Sequence, residues 1–348
     1  MTDTTSTLDD VEAPPKNSSP ITLGFVFAGN GKSLFGISIV NIFLTFITCG
    51  VYLFWGRVRV RRYLFSQTEF AGDRFHYHGT GPELLQGFLK AILGFGIPSA
   101  CLTWGPVFFE MEAWIGVTAN ILGVALLLIV IPVATVWARH YRLTRTSWRG
   151  IRCSFVGPTS ECPCLEVAPT TQSLTMQYLK LYLTGTALSL ITVGLYYPFF
   201  DARSQAFLVS HSRVGNQSFS FDGKGEDLAK AFYLAALLTP FTLGLSWYWY
   251  SARRQRYYWE HTSFMNGRFT FTGTGAELCG VKLGNFFLLV FTLGFAWPWT
   301  TIRNVRFVLD HLAFTGPGNF DTLVQAMQLA SPTGDGIDSY IDNGIDLS

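Results

Sequence analysis

Charged side chains are what this sequence has least of. Asp, Glu, Lys and Arg make up 14% of its 348 residues, where ordinary soluble domains carry about 25%. Hydrophobic residues reach 49% and aromatics 16%, so the shortfall argues against a chain surrounded by water and for one surrounded by lipid. The net charge of +2, with no basic run beyond Arg57–Arg62, gives no reason to expect nucleic acid as a partner.

Other absences narrow the class. The first residues, "MTDTTSTLDDVEAPPKNSSP", lack both the charged and the apolar region of a cleavable signal peptide. Residues 1–23 read as a disordered polar tail, and residues 324–348 as an acidic mobile one. The six cysteines form no disulfide framework. Cys49, Cys101 and Cys279 lie in or beside apolar segments, where a small buried thiol is the plain reading. Cys153, Cys162 and Cys164 share one loop, but C-P-C is not a usual zinc spacing and a second ligand pair is missing. No metal or other cofactor is expected. H-E-x-x-H, G-x-S-x-G and paired acids inside an apolar segment are missing too, so no enzyme is expected.

What the sequence does have is one ten-residue stretch written four times. It stands as "FVFAGNGKSL" from Phe25, "FHYHGTGPEL" from Phe75, "FSFDGKGEDL" from Phe219 and "FTFTGTGAEL" from Phe269, fifty residues apart within each pair. Each copy carries G-x-G, at Gly29 and Gly31, Gly79 and Gly81, Gly223 and Gly225, Gly273 and Gly275. A T-x-G marker recurs with its glycine at Gly50, Gly194, Gly244 and Gly294. Nine residues after each marker glycine stands an arginine: Arg59, Arg203, Arg253 and Arg303. Eight residues further on come His211, His261 and His311, with Gln67 in the first copy. The second copy breaks the rhythm, with two apolar segments before "CSFVG" at 153–157 and an apparent insertion over 157–175.

Apolar segments near 34–55, 84–109, 114–138, 178–200, 229–250 and 281–300 reach the length a bilayer crossing requires. They predict an α-helical integral membrane protein with about six transmembrane helices, built over residues 24–323 from a fifty-residue internal repeat. Short β-strand and turn elements at F-x-F-x-G-x-G are expected in its loops. Clusters such as "YLFW" and "SWYWY" close the segments, as interfacial aromatic rings do. On this layout the loops 57–83, 139–177 and 251–280 hold fourteen Lys and Arg against seven on the other side. The excess puts the first set in the cytoplasm and both termini outside.

The run "TCGVYLFWGRVRVRRYLFSQTEFAGDRFHYHGTG", residues 48–81, and its second version at 242–275 resemble the YjgN-type family of bacterial inner-membrane proteins. The similarity extends from about Gly24 to Phe320. It implies an inner-membrane, multi-pass protein of unknown activity and supplies no catalytic residues. The sequence departs from the pattern at "CSFVGP" and at "GPGNFDTL", which replaces the last F-x-F-x-G-x-G.

The residues themselves suggest modest chemistry. Two rings on one strand face would rest on neighbouring loops or on lipid, and the glycines turn the chain into the next helix. Glu83, Asp227 and Glu277 suit helix N-termini, and Ser33 takes their place in the first copy. "GNGKS" at 29–33 lacks the first Walker glycine, so no nucleotide is expected. The four arginines read as interfacial anchors, or more sharply as a ring for anionic lipid headgroups or a solute. The three histidines read as holding loop backbone, or as a pH-responsive set. His76 and His78 alternate on one strand face.

One conflict remains. A single crossing over 229–250 would put loops of near-identical sequence in opposite compartments. If alternate units are inverted, a small solute would cross at mid-membrane near Asn41 or Asn285, the reading as a transporter or channel. If apolar segments dip in and return, the repeated loops share one face and form a module for anionic lipids or a protein partner.

Overall fold

A computed structural model describes residues 21–110, 112–156, 171–316, 320 and 323. The chain alternates strands with pairs of helices. β1 (Ile21–Phe27) leads into α1 (Gly31–Ile47) and α2 (Leu53–Ser66), then the hairpin β2 (Thr68–Phe70) and β3 (Asp73–Tyr77). A longer pair follows: α3 (Gly81–Ala91) runs through a π-helical segment (Ile92–Gly96) into α4 (Ile97–Phe108), and α5 (Ala113–Thr144) returns. After β4 (Thr146–Trp148) and β5 (Ile151–Phe155) come α6 (Thr171–Ile191), α7 (Tyr197–Ser210), β6 (Ser212–Val214) and β7 (Gln217–Phe221). The chain closes with α8 (Gly225–Thr242), α9 (Ser246–Glu260), β8 (Thr262–Phe264), β9 (Gly267–Phe271), α10 (Gly275–Phe291), α11 (Trp297–Asp310) and β10 (Leu312–Gly316).

The ten described strands form one closed antiparallel barrel, in the order β1-β10-β9-β8-β7-β6-β5-β4-β3-β2, with β1 also pairing β2. Two-residue turns join the hairpins. At Ala71-Gly72, Arg149-Gly150 and Met265-Asn266 both turn residues have positive φ, the geometry whose twist matches that of paired strands. Because every tight turn lies at one rim of an antiparallel barrel, every helix pair rises from the other rim. The result is a crown of five helical hairpins on a small barrel.

Aromatic rings fill the barrel. The first ring of each F-x-F faces inward and meets a ring in register on the next strand: Phe25 with Phe70, Phe75 with Trp148, Phe219 with Phe264, Phe269 with Phe314. Phe25 and Phe70 stack at 4.5 Å and Phe219 and Phe264 at 4.6 Å. Phe320 completes the plug, 5.3 Å from Trp148 and 5.6 Å from Phe70. The expectation that these rings rest on loops or lipid is therefore corrected: they are the core.

The fold class also needs correction. About six membrane-crossing helices were expected. The structure is instead a closed ten-stranded barrel with helical hairpins, and only two described stretches, Gly81–Phe108 and Ala113–Thr144, are long and apolar enough to cross. The physical reason is the T-x-G marker. It sits at the apex of a hairpin, so an apolar run such as 229–250 is most of α8, a turn and the start of α9. The inverted units required for a crossing at 229–250 are absent, since each outgoing helix starts at the barrel. The division of loops between two compartments falls with it. Strand β1 also claims Ile21–Leu23 from the predicted N-terminal tail. Residues 1–20 and 324–348, most of the 157–175 stretch, and Cys162 with Cys164 lie outside the described residues.

Candidate functional site: apolar tips and basic return helices

At four of the five hairpins the tip is a Thr-x-Gly turn that satisfies its own backbone. Thr48 Oγ1 donates to the Leu44 carbonyl at 2.8 Å and accepts from the Tyr52 amide at 2.9 Å, while the Gly50 amide reaches back to the Thr45 carbonyl at 2.8 Å. The same three bonds recur around Thr192, Thr242 and Thr292. Glycine is required because its φ is +85° to +94° at Gly50, Gly194, Gly244 and Gly294. The residue before it is also left-handed, although it is Cys49, Val193, Leu243 or Leu293. Left-handed backbone is unfavourable for such side chains, most of all for β-branched valine. The turn accepts that strain and exposes Val193 by 91%, Leu243 by 90% and Leu293 by 87%. Cys49 is exposed too, as is Cys101 on α4, which corrects the expectation that both are buried.

The G-x-G turns work at the opposite end. Their first glycines lie under the second ring of their own F-x-F: Gly29 under Phe27, Gly79 under Tyr77, Gly223 under Phe221, Gly273 under Phe271. Their second glycines begin the outgoing helices and are closely approached by an aromatic residue of the preceding hairpin, through its ring or, at Gly225, first through its backbone. Trp55 lies on Gly81, Phe199 on Gly225, Trp249 on Gly275, and Trp299 closes the circle on Gly31. A phosphate cradle is not what they build. Capping by acids holds as expected at two helices: the Thr80 amide donates to Glu83, and the Thr274 amide to Glu277 at 2.9 Å. The amide and hydroxyl of Thr274 hold the Glu277 carboxyl below its usual range.

Arg59, Arg203, Arg253 and Arg303 lie on four different return helices, α2, α7, α9 and α11, and all are exposed. They do not gather in one pocket: Arg59 lines a cavity of the first hairpin beside Gly36, Ile37 and Val40, and Arg253 lines another between α8 and the start of α10. Arg59 lies over the Tyr52 ring at 5.6 Å, and Arg203 donates to the Tyr196 hydroxyl at 2.6 Å. Sequence reasoning missed their companions three residues on. Arg62, Arg256 and Arg306 donate to the carbonyls of Gly79, Gly273 and Gly29 at 3.5, 3.1 and 3.0 Å. With the ring that covers the second glycine they spell W-x-x-x-R-x-x-R at Trp55, Trp249 and Trp299. That spacing could have been read, since it places all three side chains on one helix face.

The histidines end the return helices. Nδ1 of His211, His261 and His311 lies 2.6, 2.9 and 2.8 Å from the carbonyl four residues back. Their backbone carbonyls accept from the amides of Val156, Asp222 and Thr272 at 3.0, 3.2 and 3.0 Å, which ties each helix end to the barrel rim. Burial, helped by the Arg213 charge and opposed by the Phe207 carbonyl, keeps the His211 pKa below its usual value. The unfolded chain then binds a proton that the folded one resists, so stability falls as pH drops through about 6.5. His211→Gln is expected to reduce the fall in unfolding temperature between about pH 7.5 and about pH 5.5. An unchanged fall in that variant would remove His211 from the account. His78 is 2.8 Å from the Ser147 hydroxyl. Burial pushes the Cys153 thiol up to about 11, and the described residues contain no group of metal-ligating side chains.

Polar contacts join the helices. Asn41 donates to the Gly56 carbonyl at 3.3 Å, and Asn285 to Asn304 at 3.0 Å. Both asparagines thus bind an outgoing helix to its return, as polar side chains do between helices in lipid. Arg254 and Tyr258 both bond Asp201, at 2.7 and 2.6 Å, linking α9 to α7. Arg145 grips Glu83 through two nitrogens at 3.1 and 3.0 Å, a fork geometry that favours Arg over Lys.

The comparisons with known proteins bear on this arrangement. The model of a family described as bacterial protein of unknown function (DUF898) matches residues 22–243 and 233–340. The chain belongs to that family. It is also 35% identical over 137 residues to the inner membrane protein YjgN of Escherichia coli K12, covering 38% of this chain and 30% of that protein. The Salmonella typhimurium protein of the same name is 32% identical over 130 residues, covering 37% and 30%. The matched part thus spans under a third of these relatives' length. No solved structure matches. The relatives' names, with the apolar tips of this family member, support a bacterial inner-membrane protein of the YjgN type.

Proposed function

We propose that this chain is a bilayer-embedded binding module whose crown dips into the membrane and presents outward arginines to anionic lipid headgroups. The observation that carries it is the tip. An apolar side chain held out on strained backbone has no purpose in water, while a turn with its hydrogen bonds closed internally suits hydrocarbon, where unpaired backbone groups are costly. The paired helices of 14–18 residues in α1, α2 and α8–α11 reach roughly 21–27 Å at 1.5 Å per residue. That is less than the hydrocarbon core of about 30 Å, whereas the pair α3–α4 and α5 is long enough to cross. The charged barrel end would then lie in the cytoplasm, because the tips carry no Lys or Arg. No catalytic step belongs to this reading.

The test replaces Arg59, Arg203, Arg253 and Arg303 together by Gln. Membranes are extracted with a polymer that keeps the surrounding lipid, and its composition is measured. The wild-type shell is expected to be enriched in phosphatidylglycerol, and the variant's shell to match the bulk while the protein remains inserted. Equal enrichment in both would remove the arginines from lipid selection.

A further inference from the structure

One groove in the crown is built more closely than a general basic belt. It lies between α8 and α10 with α9 as its floor, and its volume is about 970 Å³. Leu234 and Leu238 line it towards the tip, and Trp249, Arg253, Arg256 and Glu260 follow along α9 towards the barrel. These four positions are spaced four, three and four residues apart, so they form one stripe on the helix. The stripe is graded: apolar, indole, two cations, one anion.

Several of these groups are uncommitted. The Trp249 side chain is half exposed, and its indole N–H has no hydrogen-bond partner among the described residues. The same is true of the Arg253 guanidinium and the Glu260 carboxylate. Arg256 uses one nitrogen on the Thr272 and Gly273 carbonyls and keeps the others. The apolar end points the way the tips point, and the charged end lies at the barrel. A glycerophospholipid in the barrel-side leaflet has that same polarity.

We propose that this groove holds one phospholipid of the phosphatidylethanolamine type, with an acyl chain on Leu234 and Leu238, phosphate on Arg253 and Arg256, and ammonium on Glu260. The indole N–H of Trp249 is placed to donate to a glycerol ester. The acid decides the headgroup. Glu260 stands one turn beyond Arg256, about 6 Å along the helix, which is the order phosphate then ammonium requires. A purely anionic headgroup would meet the carboxylate unpaired. In the equivalent cavity on the first hairpin, Arg59 and Arg62 are followed by Ser66 rather than an acid, so no ammonium selection is expected there.

This inference rests on the crown lying in a bilayer but not on the four-arginine selection of anionic lipid. The experiment uses full-length protein in detergent, titrated with dioleoyl phosphatidylethanolamine or dioleoyl phosphatidylglycerol and read by native mass spectrometry. Wild type is expected to bind the ethanolamine lipid about fivefold more tightly at this groove, the scale of a partly exposed ion pair. Glu260→Gln is expected to erase or invert that preference. Arg253→Gln is expected to weaken both lipids in parallel and leave their ratio unchanged. A wild-type preference for phosphatidylglycerol, or an unchanged ratio in Glu260→Gln, overturns the headgroup assignment. Unchanged binding of both lipids in Arg253→Gln overturns the phosphate position. Equal shell enrichment in wild type and the fourfold variant, with these ratios intact, would instead count against the wider proposal alone.

Discussion

Replacing Val193, Leu243 and Leu293 together by aspartate is expected to lower sharply the share of protein that resists alkaline extraction from membranes, while its unfolding temperature in detergent stays within a few degrees. The two halves of this expectation have separate causes. All three residues have φ near +50°, where aspartate is more at ease than leucine or valine. The turn's hydrogen bonds come from the threonine hydroxyl and the glycine amide, which the substitutions leave in place. In lipid the balance reverses. A buried aspartate in a membrane segment costs about 2.5–3.5 kcal/mol, and three tips are changed at once. The long pair ending at Phe108 and Thr144 still holds part of the protein in place, so a partial rather than complete release is the outcome. Full resistance to extraction in the triple variant would mean the tips do not sit in lipid.

Gly225→Val is the second large effect, and it acts on folding rather than on the membrane. A Cβ at this position would lie 2.5 Å from the Phe199 Cα and 3.0 Å from its amide nitrogen. Those are backbone atoms of α7, so no rotamer change relieves the clash. The next hairpin would be pushed off its neighbour, and because the crown and the barrel are both closed rings, the displacement cannot end at a free edge. A loss of about 3 kcal/mol or more is expected, at the upper end for overpacking, seen as a large drop in unfolding temperature in detergent. Gly280→Ala supplies the contrast. It lies inside α10 with nothing within 4 Å of its Cβ position, so the change should be neutral or stabilising by up to about 1 kcal/mol. Similar losses in both variants would show that the close approach of α7 to Gly225 is not what joins the hairpins.

These two sites also show what the sequence discloses and what it withholds. The G-x-G pairs, the arginines and the family are legible because they depend on residue identity at fixed spacing. The barrel was hidden because its strands are three to seven residues long and their partners lie far apart, as Phe27 with Thr68 and Gly24 with Ala313. The hairpins were hidden by the tips. An apolar stretch such as 281–300 has the composition of one crossing helix, and nothing in its letters marks Leu293 as left-handed. Arg59 and its equivalents were found as single positions, but their partnership with Arg62, Arg256 and Arg306 depends on carbonyls brought near by the following strand. The roles of Phe25, Phe219 and Phe269 were misjudged for the same reason. Inward and outward faces of a strand look alike until its neighbours are known.

The central claim is that the chain rises from the barrel, turns at T-x-G and returns, so that the strand turns on either side of one hairpin face the same compartment. Ser212 and Thr262 are buried in the barrel wall, but Asn216 and Asn266, in the turns before β7 and β9, are exposed. Single cysteines at these two positions in a cysteine-free chain, tested with a membrane-impermeant thiol reagent on whole cells and on inverted vesicles, measure the claim directly. Both should label from the cytoplasmic side only. Labelling from opposite sides would mean that α8 and α9 together cross the membrane, and the hairpin crown would be wrong.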